Sequence, residues 1–506
     1  MTLDDLIKTG RDDSVAISAP DRRDLTYQGL RDLVTRTGNT LRQCGIGRGD
    51  CVAIVLPNGP VMATAFVAVA SAATAAPLNP AYQTSEFEFY LSDLNVCALI
   101  VEAGSEVDAI AVAHAQQVPV IELRSEESAV AGDFELVLSG CDTSEPDHRA
   151  FMPASDDDIA MVLHTSGTTS RPKIVPLSHA NICTSASSIH ETLELTAADK
   201  CFNIMPLFHI HGLIGATLAS LNAGASVYCT PGFNPLKFFA LLEEAAPTWY
   251  TGVPTMHQAI LARADRNQAI IEKSVLRFIR SSSASLAPQV MAALEETFDV
   301  PVIESYGMTE AAHQMASNPL PPGKRKPGSV GVSAGPEIAI MNEANDLLEV
   351  GALGEIVIRG DNVTLGYLNN PRANEENFSN GWFRTGDQGV LDEEGYLTIT
   401  GRLKEIINRG GEKISPREVD DVLMDHPAVQ QVVTFAMPHA KLGEDVAAAI
   451  VLREGERATV KEIRAFASER LARFKVPRTV LFLDEIPKGA TGKLQRIGLA
   501  QKLGLG

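Results

Sequence analysis

The run Ile159-Ala160-Met161-Val162-Leu163-His164-Thr165-Ser166-Gly167-Thr168-Thr169-Ser170-Arg171-Pro172-Lys173 passes from an apolar segment into a glycine–threonine loop. Its apolar half reads as a buried strand. The nine residues from Thr165 to Lys173 hold five hydroxyls, one glycine and two cations, ahead of a stretch that reads as helical. Such a loop can wrap phosphate oxygens with backbone N–H and side-chain O–H donors. It is not a Walker loop, because the GxxxxGK[ST] spacing is absent. Three or four such residues would suit an exposed Ser/Thr turn. The full run behind a buried strand favours a phosphate grip.

Outward from that loop, strand-like and helical runs alternate. Residues 51–56, 98–101, 226–229, 249–251, 277–279 and 302–304 read as short strands, with helical patterns such as 236–246 between them. This is the grammar of a parallel sheet covered by helices on both faces. Active sites in such sheets gather at the carboxyl ends of the strands. From residue 328 to 399 the pattern changes to short runs (337–341, 355–359, 396–399) among Asn, Asp and Gly turns, as in antiparallel strands or a small barrel. After Gly401 a new unit begins, with strands at 432–436, 447–451 and 480–483 and helices at 416–424 and 460–470. The expected fold is α/β: a large N-terminal domain of layered parallel sheets with a β-barrel-like part, residues 1–402, then a small, mobile α+β domain, residues 403–506.

The 506 residues are 45% hydrophobic and 21% charged, the balance of a soluble globular enzyme, and their formal net charge is −20. That sign argues against nucleic acid or an anionic membrane as partner. Bound phosphate must therefore be held by a local cationic site, with a divalent metal. Seven cysteines without a CxxC pair point to thiols in a reducing compartment, and a cytoplasmic location is expected. The acidic N-terminus has no apolar core to read as a signal peptide, and Leu503-Gly504-Leu505-Gly506 is not a peroxisomal signal. The alanine-rich stretch 61–77, broken by Thr and Ser, reads as a buried helix rather than a membrane span. Monomer and homodimer both stay open.

The stretch His164 to Lys173 resembles the signature loop of the acyl-adenylate-forming superfamily, which holds acyl-CoA synthetases, adenylation domains and beetle luciferases. Six further motifs follow in the family's order across nearly the whole chain. Pro206-Leu207-Phe208-His209 is similar to the gate segment and Tyr306-Gly307-Met308-Thr309-Glu310 to the adenine- and magnesium-binding segment. Gly354-Glu355-Ile356-Val357-Ile358-Arg359-Gly360 matches a strand motif, and Phe383-Arg384-Thr385-Gly386-Asp387 the ribose-binding motif. Gly401-Arg402-Leu403-Lys404 resembles the interdomain hinge, and Pro487-Lys488-Gly489-Ala490-Thr491-Gly492-Lys493 the loop of the catalytic lysine.

The resemblance implies an AMP-forming acid–CoA ligase that uses ATP, Mg²⁺ and CoA. Attack of a carboxylate on the α-phosphorus brings two anions together, so cations and positioned donors are needed. Lys493 is implied to bridge them, Glu310 with Thr165 to hold Mg²⁺ on the phosphates, and His209 to act as gate. ATP or AMP would be bound by Thr165, Ser166, Gly167, Thr168, Thr169, Lys173, Ser283, Ala284, Ser285, Glu304, Ser305, Tyr306, Gly307, Met308, Thr309, Asp387 and Arg402. Asp387 and Arg402 would take the ribose. The small domain would pivot near Lys404, withdraw Lys493 and bring Gly410, Gly411 and Glu412 to the CoA tunnel, although a tight β-turn accounts for the two glycines equally well. Alone, Lys493 would read as a surface lysine, Asp387 as a turn residue and Glu310 as a helix N-terminal acid. Two departures stand out: GRLKE in place of the commoner GRxD, and Ile174 where the family usually has glycine. The latter is harmless if the chain is already extended before Pro176.

For the acid, the segment 281–286 reads Ser-Ser-Ser-Ala-Ser-Leu where many relatives have small apolar residues, and His209, His211 and His313 stand nearby in the motif order. Hydroxyl and imidazole donors suit a second carboxylate better than a hydrocarbon tail. Protonated or polarised histidines would offset its charge. The set is similar to the oxalate–CoA ligases of plants and fungi, which implies His209, Ser283 and His313 as acid-binding residues. The alternatives are a short or medium aliphatic or aryl acid, a carrier-protein thiol as acceptor, and a non-catalytic nucleotide sensor. The last predicts loss of Lys493 or Glu310, and both are present.

Overall fold

The computed structural model describes residues 1–126, 130–137, 154–165, 172–487 and 494–505. Among these, two large sheets build the N-terminal part. In the first, Cys51–Val55 lies between Thr74–Pro77 and Ala98–Glu102, all parallel, and Val120–Arg124 extends the row. Ile159–His164 joins it beside Thr74–Pro77. The alanine-rich segment contains the helix Pro60–Ala70, begun by a proline at its first turn and buried continuously from Met62 to Ala70. A helix apolar all round belongs in a core. No helix among the described residues is long and apolar enough to cross a membrane.

In the second sheet Ser226–Cys229, Lys200–Asn203, Trp249–Gly252, Phe278–Ser281 and Val302–Met308 run parallel in that spatial order. The last strand runs beyond the expected 302–304 and folds back as His313–Ser317. Two boundaries differ from the sequence reading. The strand placed at 277–279 is Phe278–Ser281, so it takes in Arg280. The stretch after Lys173 is not a helix but the strand Ile174–Ser178, antiparallel to Ile159–His164, and the helix begins only at His179. The cause is local: Ile174 and Val175 are β-branched, and Pro176 holds the residue before it extended. Ile174 pairs with His164 in that strand, so isoleucine is unstrained there.

The β-barrel-like part is an antiparallel sheet of Glu337–Met341, Gly354–Arg359, Trp382–Leu391 and Leu397–Arg402, with Phe378–Ser379 at one edge. After it comes a further sheet, Ile407–Arg409, Glu412–Ile414, Val429–His439, Gly443–Leu452 and Thr479–Phe482. This sheet has its own core, in which Val419, Leu423 and Ile463 of two amphipathic helices pack on Ile407, Val446 and Ile450. Of the cysteines among the described residues, Cys183, Cys201 and Cys229 are buried in the core.

Candidate active site

The strands Ile159–His164 and Ile174–Ser178 form an antiparallel pair that is tied together at Thr165 and Lys173. The Thr165 N–H donates to the Lys173 carbonyl at 3.0 Å, and the Lys173 N–H donates to Thr165 Oγ1 at 3.4 Å. Ser166, Gly167, Thr168 and Thr169 lie outside the described residues, as does Lys493. The Lys173 ammonium stands 4.3 Å from the centre of the Tyr367 ring, and the Tyr367 hydroxyl donates to Glu310 Oε1 at 2.8 Å. Glu310 is buried on the short helix Thr309–Ala311. Burial pushes its pKa up, while Tyr367, Arg402 and Lys173 pull it back. Burial lowers the pKa of Lys173; Glu310 supports its charge and Lys404 opposes it. Tyr367 was missed by sequence reading, where an aromatic after a glycine in a turn-rich stretch was the only cue.

Magnesium usually takes one or two carboxylates and completes its shell with substrate phosphates and water. Glu310, with the Thr165 hydroxyl at the loop neck, fits that need. Among the described residues no group of three His, Cys, Asp or Glu could cage a metal without substrate.

Asp387 and Arg402 are partners across neighbouring strands. Arg402 Nε donates to Asp387 Oδ1 at 2.9 Å, and the Tyr306 hydroxyl donates to Oδ2 at 2.5 Å. The Asp387 charge raises the Arg402 pKa. A carboxylate offers about four lone-pair sites, so both oxygens can still accept from a ribose diol. Glu304 is buried within the strand Val302–Met308; its Oε1 accepts the Leu286 N–H at 2.9 Å, which ties down the 282–286 loop. Burial lifts the Glu304 pKa to about 7. Ser305 is buried like Glu304, whereas Ala284 and Ser285 are exposed. Gly307 is required by close approach, because a Cβ there would lie 1.7 Å from the His313 carbonyl oxygen.

That approach brings His313 into a buried polar cluster. His211 and His313 stack with centroids 4.9 Å apart. His211 Nδ1 is 3.1 Å from Ser283 Oγ, and its Nε2 is 2.6 Å from Thr251 Oγ1. Arg280 Nη1 donates to His313 Nε2 at 3.1 Å and lies 3.5 Å from His211 Nε2. Gly215 gives the rings room, since a Cβ there would meet His313 at 2.6 Å. His211 opens a π-helical segment, His211–Leu218, of a kind frequent at functional sites. Ser283 (φ 70°), Ala312 (φ 49°) and His313 (φ 102°) all occupy the left-handed region that L side chains resist. Of the expected acid contacts, Ser283 and His313 meet here through His211. His209 is half-buried, and its Nδ1 accepts the His211 N–H at 3.4 Å. Arg280 was missed.

Gly410 (φ 62°) and Gly411 (φ 99°) form the two-residue turn between Ile407–Arg409 and Glu412–Ile414. A turn with positive φ at both central residues is the favoured hairpin type. Glu412 is exposed beside it. Lys404 lies on the short helix Leu403–Glu405. Arg496, three residues beyond Lys493, pairs with Glu405 at 3.9 Å and with Asp420 of the helix Pro416–Met424.

Against known families, residues 7–368 match the AMP-binding enzyme family and residues 418–493 match the AMP-binding enzyme C-terminal domain. The oxalate–CoA ligase of Arabidopsis thaliana is 46% identical over 503 residues, covering 97% of each chain. That of Saccharomyces cerevisiae is 40% identical over 97% of this chain and 94% of its own. The crystal structure of ATP-bound MatB from Rhodopseudomonas palustris superposes with a TM-score of 0.87 at 28% identity, covering 100% of this chain and 98% of that one.

Proposed function

The chain belongs to the family of AMP-binding enzymes and is an AMP-forming acid–CoA ligase; on that premise we propose that its acid is oxalate or a similar short dicarboxylate. The observation that carries this reading is the set formed by buried His211, His313 and Arg280 with half-buried Ser283. A hydrocarbon tail pressed against it would meet hydroxyl and imidazole groups backed by a buried positive charge, whereas a second carboxylate would accept from those donors and match that charge.

The reaction runs in two halves. One carboxylate of the acid attacks the α-phosphorus of ATP, pyrophosphate leaves, and the acyl-adenylate remains. The CoA sulfur then attacks the acyl carbon, AMP leaves, and the thioester forms. Lys493 bridges the attacking carboxylate and the phosphate oxygens in the first half. Asp387 and Arg402 hold the ribose, and the hairpin neck at Thr165 and Lys173 presents the phosphate loop. Glu310 and Thr165 would hold Mg²⁺, which when bound neutralises phosphate charge. Residues 403–506 move as a unit about Lys404 and bring Gly410, Gly411 and Glu412 to CoA in the second half. Seven cysteines without a CxxC pair fit a reducing compartment, and the cytoplasm is the proposed location.

Acid-dependent exchange of labelled pyrophosphate into ATP, run with oxalate, malonate, acetate, hexanoate and a cinnamate, tests the substrate. Oxalate is expected to lead. Exchange with hexanoate or the cinnamate and none with oxalate refutes the reading. Lys493→Ala is expected to abolish exchange yet spare thioester formation from supplied acyl-adenylate; equal loss of both halves contradicts the domain movement.

A further inference from the structure

Arg280 lies within the parallel strand Phe278–Ser281, fully buried. Among the described residues no carboxylate stands within ion-pair distance of it. A guanidinium taken out of water without an anion carries a large desolvation penalty, so its position calls for a reason. Its Nη2 donates to Gln314 Oε1 at 3.1 Å. The Gln314 amide cannot turn, because its Nε2 donates to the Ala334 carbonyl at 3.0 Å and to Thr192 Oγ1 at 3.2 Å. Arg280 Nε has no partner among the described residues. The guanidinium is thus held on one side by a fixed amide and on the other faces two imidazoles.

That geometry decides the imidazole protons. A guanidinium has only donors, so His313 Nε2, 3.1 Å from Arg280 Nη1, must accept, and its neutral ring carries the proton on Nδ1; His211 Nε2, 3.5 Å from the same Nη1, takes the same role with the Thr251 hydroxyl donating to it at 2.6 Å. His211 Nδ1 then donates to Ser283 Oγ, which leaves the Ser283 hydroxyl hydrogen to be donated onward. An imidazolium at either position would set an N–H against the guanidinium. Around the pair stand Arg280 from the strand, His209 from the preceding segment, the hydroxyls of Thr251 and Ser283, and the Gln314 amide.

We propose that Arg280 is the positioning residue that sets both charge and donor pattern in the acid pocket: it supplies the positive charge behind His211 and His313, locks both rings as Nδ1 donors, and thereby selects a small dicarboxylate over a monocarboxylate of equal size. This rests on the dicarboxylate reading above and deepens it. The positive charge that matches the substrate's second carboxylate then comes from arginine, and the histidines stay neutral relays.

The test compares parent, Arg280→Lys and Arg280→Gln in pyrophosphate exchange with oxalate and acetate between pH 5.5 and 8.5. Arg280→Gln is expected to raise KM for oxalate by about 100-fold and leave KM for ATP within about twofold, with Arg280→Lys in between. In Arg280→Gln alone, KM for oxalate should improve as pH falls through the imidazole range near about 6.5, because the released histidines can take up the charge. Equal loss for ATP and oxalate, an unchanged oxalate-to-acetate ratio, or no acid rescue overturns the proposal. If Arg280→Gln does not fold, ¹⁵N-histidine spectra of the parent enzyme decide: protonated Nδ1 and bare Nε2 at His211 and His313 are expected, and the reverse tautomer or imidazolium overturns it. Failure of the dicarboxylate reading shows separately, as parent enzyme that ignores oxalate.

Discussion

Replacing Tyr367 by phenylalanine removes one oxygen from the line Lys173–Tyr367–Glu310. The ring that faces the Lys173 ammonium remains, so the cation–π contact of about 0.5–2 kcal/mol is retained. What goes is the 2.8 Å hydrogen bond to the buried Glu310 carboxylate. A hydrogen bond to a charged group is worth about 1.5–3 kcal/mol, which corresponds to a fall of about 12- to 150-fold in kcat/KM for MgATP. The pH profile gives a second, independent sign. Burial already raises the Glu310 pKa and Tyr367 opposes that rise. Without the hydroxyl the pKa climbs further, the ionised carboxylate is lost at higher pH, and the acid limb of the profile moves upward. Pyrophosphate exchange over pH 5.5–9 at several MgATP concentrations measures both. A kcat/KM within twofold of the parent, with the acid limb unmoved, would refute the placing of Tyr367 as the support of a working Glu310.

Three further outcomes are expected. Asp387→Asn loses the charge that Arg402 and Tyr306 converge on, and should weaken ATP binding by about 10- to 100-fold; calorimetric titration with ATP that finds unchanged affinity contradicts the ribose role. Gly307→Ala drives a Cβ into the His313 carbonyl and should cost more than about 3 kcal/mol in urea unfolding; a normal midpoint means the hairpin yields cheaply. Glu304 binds its proton more tightly folded than unfolded, with a folded pKa of about 7 against 4.5, so its contribution is full below pH 4.5 and lost as pH rises through 7. Glu304→Gln, neutral throughout, should therefore gain up to about 3 kcal/mol on the parent between pH 5 and pH 8; a pH-independent difference contradicts this.

The sheets were legible because their strands are short apolar runs set between helical periods, and Glu337–Met341 and Pro416–Met424 were read to the residue. Arg280 was lost for a related reason. A charge at the end of an apolar run reads as the end of the strand, and only tertiary packing shows a guanidinium buried on two imidazoles. The hairpin at Ile174 was available in its β-branched pair before Pro176, but the hydroxyl-rich loop drew attention to a helix behind it. Asp387 and Arg402 face each other through strand register, which one sequence does not reveal; their joint role came from resemblance alone. His209 and His211 are two residues apart in a π-helical entry, and no periodicity says which of them turns toward Ser283.

The left-handed backbone at Ser283 and His313 has a bearing on descent. Each position sets a side chain where glycine would rest more easily, at about 1–3 kcal/mol of strain. In a lineage no longer selected for this acid, glycine at either place would relieve that strain, and the loss of a partner for His211 or Arg280 could be met by replacing those residues in turn. Serine at 283 and histidine at 313 can therefore serve as markers among related chains: where both persist, selection for the substrate is still at work.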